Sequence, residues 1–152
     1  MYQKILPLAA LALLSTQANA AMITAKDPQA ILNIAKGYGS AVLEKDSAGD
    51  PKIRGRIEGI GYSIFFYGCK DGKSCDDIQF NAGWSGTEVT LSDVNRWNSQ
   101  KKFGKAFIDS EGDPILQMAV NIDHGVSEMN LEDTFNWWQV AMKGFKQEVL
   151  GL

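Results

Sequence analysis

Toward the C-terminus the apolar side chains fall at Leu131, Phe135, Trp138, Met142, Phe145 and Val149, spacings of four and three that draw one stripe along a helix. A helix of this kind cannot bury its stripe by itself, so the preceding chain must supply an apolar surface long enough to receive it. Asn130 stands where an N-cap side chain would accept from the first free backbone N–H groups. With four or five of these side chains buried at about 1.5 to 3 kcal/mol each, the helix carries a large share of the core's stability.

The surface it needs is legible upstream. Asp27-Pro28 reads as an N-cap with proline at the first helical position, and Ile31, Leu32, Ala35 and Tyr38 mark one face of a short helix closed by Gly37 and Gly39. A strand from Ala41 then reaches the turn cluster Asp46 to Pro51, after which Ile53, Gly55 and Ile57 alternate with Arg54, Arg56 and Glu58, giving a hairpin with one wet face. The run Ile60 to Tyr67 is nearly all apolar, which predicts a central strand buried on both faces. Ile78, Phe80, Ala82 and Trp84 alternate with polar residues and glycine, so the next strand buries one side.

Thr90 to Asp93 matches the capping-box pattern and opens a second short helix through Asn98, with Leu91, Val94 and Trp97 on its face. Strands over 103–108 and 115–122 follow, joined by the turn Asp109 to Pro114, with Leu116, Met118, Val120 and Ile122 directed toward the core. The expected class is α+β: an antiparallel sheet with an N-terminal helix, a short middle helix and a long C-terminal helix packed on it. No repeat, low-complexity segment or linker divides the chain.

Residues 1–20 read as a secretory leader: Lys4, an apolar run Ile5 to Leu14, and Ala18-Asn19-Ala20, with cleavage expected between Ala20 and Ala21. The run is half the length that a spanning helix requires. Taking twenty residues from 152 leaves 132 as one domain, residues 21–152, and the loss of Lys4 moves the net charge from −3 to −4. The expected location is the periplasm or the exterior, without a membrane span in the mature part. A mildly acidic chain with scattered lysines has no electrostatic footprint for nucleic acid.

In an exported chain the pair Cys69 and Cys75, flanking the turn-forming Lys70 to Ser74, reads as a disulfide rather than a redox pair, because the spacing is not Cys-x-x-Cys. The single histidine, His124, lies in a loop with no Ser or Cys motif beside it, so no catalytic residue is assigned. One histidine and two cysteines fall short of a zinc site, the acidic turns lack the twelve-residue calcium register, and Gly37-Tyr-Gly39 and Gly59-Ile-Gly61 lack the third glycine of a dinucleotide loop. No metal or cofactor is expected. Among Trp84, Trp97, Trp137 and Trp138, only Trp137 stands next to the helix stripe rather than on a predicted inward face, which makes it the candidate partner contact.

Phe65-Phe66-Tyr67-Gly68-Cys69, Cys75 ahead of Ile78-Gln79-Phe80, Val94-Asn95-Arg96-Trp97-Asn98, Phe103-Gly104-Lys105-Ala106 and Gly112-Asp113-Pro114 together resemble the YbjN domain family, in its exported, two-cysteine branch. The likeness covers essentially the whole mature chain, and the Asn-x-Trp-Asn run is its most specific part. It implies a fold similar to type III secretion chaperones and a role in sensory transduction or stress regulation, with no catalytic residues to carry over. The expectation is therefore a non-enzymatic protein-binding or chaperone-like module, with an unidentified protein partner or a homodimer. A small-ligand carrier or a hydrolase is the alternative.

Overall fold

The computed structural model describes residues 22–152; the expected leader and its cleavage point at Ala20 and Ala21 lie outside the described residues. The order is α1 (Pro28–Tyr38), β1 (Gly39–Lys45), β2 (Pro51–Ile57), β3 (Ile60–Tyr67), β4 (Asp77–Gly83), α2 (Leu91–Gln100), β5 (Lys105–Ile108), β6 (Pro114–Asn121) and α3 (Glu128–Glu148). The six strands form one antiparallel sheet in the order β1-β2-β3-β4-β6-β5. This is the α+β arrangement that the sequence predicts.

Local chemistry fixes the element ends. The Asp27 carboxylate accepts from the Ala30 N–H at 3.1 Å to start α1. Thr90 and Asp93 make the reciprocal capping box of α2, each side chain taking the other's backbone N–H. The cap of α3 is Ser127 rather than Asn130: the Asn130 N–H donates to Ser127 Oγ at 3.1 Å, and the helix begins at Glu128. Gly39 is required where α1 turns into β1, because a Cβ there would lie 2.1 Å from the Arg56 carbonyl oxygen.

The β1–β2 and β5–β6 hairpins close with the same hydrogen bonds. Asp46 Oδ1 accepts from the N–H groups of Ala48 and Asp50, and Asp109 Oδ1 accepts from those of Glu111 and Asp113. These acidic turns are thus held by their own backbone donors, as aspartate in a turn favours.

The core lies between one sheet face and the three helices. Ile53, Tyr62, Ile64, Phe66, Ile78, Phe80, Ala82 and Leu116 project into it from the strands, and Leu131, Phe135, Trp138, Met142 and Phe145 descend from α3. Phe80 is its centre, with ring centroids 5.0 Å from Phe135 and 5.4 Å from Trp138. Strand β3 departs from the expectation of burial on both faces: Tyr62, Ile64 and Phe66 are buried, whereas Gly61 and Tyr67 are exposed and Phe65 is half-buried. The helices all join the same core, so no described element covers the opposite sheet face, where the Lys52 ammonium lies over the Phe65 ring.

Leu91 also departs from expectation and is 75% exposed. Steps of three rotate about 60° backward on a helix, so Leu91 stands well away from the buried Trp97 although each step looks in phase. Met118 and Val120, expected in the core, pack on its margin and are partly buried.

Candidate functional site

An apolar recess lies between α3 and the α2–β5 connection. The connection bends at Lys102 and Phe103 and passes through Gly104 at a φ of 82°, and the Trp97 indole N–H donates to the Gly104 carbonyl at 2.7 Å, which fixes the connection against α2. Phe103 is thereby turned outward from the sheet, with its ring centroid 4.8 Å from that of Trp137 on α3. Val140, one turn on, is 57% exposed and Trp137 is 44% exposed. Together with Trp97, Ala141 and Gly144 they line a groove of about 220 Å³.

Cations rim this groove. Lys101 Nζ sits 5.3 Å from the Trp97 ring and 2.7 Å from Glu148, while Lys102 Nζ sits 5.5 Å from the Phe103 ring. The groove therefore offers apolar contact within a charged rim, in which Glu148 neutralises Lys101 and Lys102 has no ion-pair partner among the described residues. Phe103 was expected to begin a strand, and its partnership with Trp137 is decided by the bend before Gly104.

A second concavity of about 400 Å³ lies on the open sheet face. It forms because Gly61 and Gly83 carry no side chains, and Arg54, Arg56, Ser63 and Asn81 border it. Its chemistry is polar. On the floor below, Tyr62 is folded over Gly55, where an added Cβ would lie 2.5 Å from the ring, and its hydroxyl has no hydrogen-bond partner among the described residues. Burial pushes the Tyr62 pKa up to about 12.

The other sequence candidates are dispersed. Trp97 and Trp138 are buried, and Trp84 is half-buried with its ring 5.3 Å from Phe145. His124 is almost wholly exposed on the turn before α3, 3.8 Å from Asp123. Gly37 lies in the last turn of α1 and Gly59 in the β2–β3 turn, away from any strand-to-helix phosphate loop. Cys69 and Cys75 are bonded, and their loop joins β3 to β4. Gly72 at the tip of that loop approaches the carbonyl of Gly49 in the β1–β2 turn.

Of the carboxylates, Glu58 is held below its ordinary value by its hydrogen bond and ion pair with Lys143, 2.8 Å away, and Asp93 by the Thr90 hydroxyl and backbone together with Arg96. Both are capped by structural partners, the opposite of the raised carboxyl that an acid catalyst needs. Among the described residues there is no group of three or more metal-ligating side chains, and no helix is long and apolar enough to cross a membrane.

The described residues thus form a sheet covered by helices on one side, with an aromatic groove on its outer helix. The profile of the YbjN family, described as "Putative bacterial sensory transduction regulator", matches residues 27–150. The chain belongs to that family. No curated protein and no solved structure gives a match.

Proposed function

We propose that this protein is an exported, non-enzymatic regulatory module that binds a segment of another protein in the groove beside Trp137. The groove is the observation that carries this reading: Trp137 and Val140 stand exposed on a helix whose opposite side is buried, next to an outward-turned Phe103. Large aromatics placed in this way are typical of contact hot spots. An open groove also favours a protein segment over a small carried ligand, which would call for an enclosed pocket. The Cys69–Cys75 disulfide is in keeping with an oxidising compartment.

Photocrosslinking from Val140 in intact cells tests the reading. A protein adduct should form and disappear when Trp137 is changed to Ala, a change that shifts stability by about 1 kcal/mol or less because the side chain is half in water. Adducts that persist unchanged without Trp137 would remove the groove from the function. Mass spectrometry of protein from the cell envelope should find Ala21 as the first residue; an intact Met1 would overturn export.

A further inference from the structure

The two ends of the sheet are built alike, yet among the described residues only one of them is closed. At each end a short helix leads into an edge strand, which turns back through an Asp-Ser-x-Gly-Asp-Pro hairpin, α1 into β1 and α2 into β5. On β5 the edge is sealed from within: Asn98 of α2 accepts from the Ala106 N–H at 2.9 Å and donates to the Ala106 carbonyl at 3.0 Å, as a neighbouring strand would. On β1 no described residue pairs with the outer edge.

That edge is seven residues long and has the apolar centre Ala41-Val42-Leu43, with charges confined to Glu44 and Lys45. Val42 is 47% exposed and Leu43 is 41% exposed. Edge strands are ordinarily blunted by central lysines, proline or bulges, and β1 has none of these at its centre.

We propose that β1 is a self-pairing edge through which two copies of this chain join their sheets, antiparallel and in register about Val42. The sequence of β1 is complementary to itself in that register. Val42 meets the partner's Val42, Leu43 faces the small partner's Ala41, and Glu44 faces the partner's Ser40, so no like charges stand opposite one another. The register also answers an unmatched charge. Ser40 is paired with Arg56 on β2, and Arg56 has no carboxylate within ion-pair distance among the described residues. Glu44 is ion-paired within its own chain to Lys52 at 3.4 Å and Arg54 at 3.3 Å, and the partner's Glu44 would stand two strand spacings from Arg56, about 10 Å between Cα atoms, where its carboxylate extends that network to a third cation. An unrelated extended segment would not in general supply an acid at that position together with a small residue opposite Leu43. A second copy supplies both.

Sedimentation of the purified protein, with variants at Val42, tests the pairing. The wild type should be a dimer at about 50 µM, and Val42→Lys, which sets two lysines side by side at the two-fold axis, should weaken the dimer by about tenfold or more while leaving the circular dichroism unchanged, and also the melting curve when both proteins are diluted to monomer. Mixing Val42→Lys with isotope-labelled Val42→Glu should restore a one-to-one mixed dimer in native mass spectrometry. A monomeric wild type at that concentration, a Val42→Lys dimer as tight as the wild type, or a failure of the two variants to combine would each overturn the proposal. A dimer abolished by Trp137→Ala but not by Val42→Lys would do so as well, by placing the interface in the groove.

Discussion

Replacing Tyr62 by Phe removes a single oxygen from the floor of the sheet and leaves the packing around it in place. The ring is 4% exposed, lies over Gly55, and stacks 6.4 Å from Phe80, while its hydroxyl has no partner among the described residues. A buried hydroxyl without a partner costs about 1 to 3 kcal/mol, and Phe retains the apolar contacts, so the variant should be as stable as the wild type or about 1 kcal/mol more stable at pH 7. The pH dependence gives a second reading. Tyrosine ionises at 10.0 in the unfolded chain and near 12 in the folded one, so the stabilisation is fully present below pH 10 and is lost between pH 10 and pH 12 as the unfolded form alone releases its proton.

Each pH unit in that window removes up to about 1.4 kcal/mol, so the whole window removes about 2 to 3 kcal/mol. Burial also raises Tyr38, whose hydroxyl donates to the Glu132 carbonyl at 2.7 Å; that contribution is common to both proteins and cancels in the comparison. Urea unfolding of wild type and Tyr62→Phe at pH 7, 10, 11 and 12 therefore measures the difference directly. A loss of more than about 1 kcal/mol at pH 7, or parallel alkaline decline in the two proteins, would refute the buried and unpaired hydroxyl.

Asn98→Ala should destabilise by about 2 kcal/mol in the same unfolding assay, since it leaves the Ala106 N–H and carbonyl of a partly buried edge without partners. Asn98→Asp, which keeps only the acceptor, should fall between the two. Reducing the Cys69–Cys75 bond opens a loop with a sequence separation of 6 and should lower stability by about 2 kcal/mol, read as a shifted urea midpoint with and without dithiothreitol. Rapid exchange with thioredoxin would instead point to a redox-active pair.

The α3 stripe shows how much periodicity alone can decide. Five of its six residues are buried to 0% and the sixth, Val149, is partly buried at the helix end, because a helix that faces one flat layer must repeat its apolar residues at the helical period. The caps at Asp27 and Thr90 were equally legible, being local chemistry between residues three apart. Trp137 was legible only as a residue next to the stripe, and its exposure follows from that position.

Residues far apart in sequence settled the rest. Nothing in the run Ile60 to Tyr67 says that all three helices crowd onto one face and leave the other open, since the run is equally apolar in either case. Phe103 joins Trp137 only because the chain bends before Gly104 and Trp97 holds that bend. Asn98 reads as a polar helix residue until strand order brings Ala106 beside it, and β1 becomes an edge only when the order β1-β2-β3-β4-β6-β5 leaves it without an outer neighbour among the described residues. The sequence by itself determined the elements, the caps at Asp27 and Thr90 and the buried stripe of α3, because those depend on neighbours within a few residues. Only the tertiary structure decided which face stays open, which edge is sealed and where the aromatic groove forms, because each requires groups brought together from distant parts of the chain.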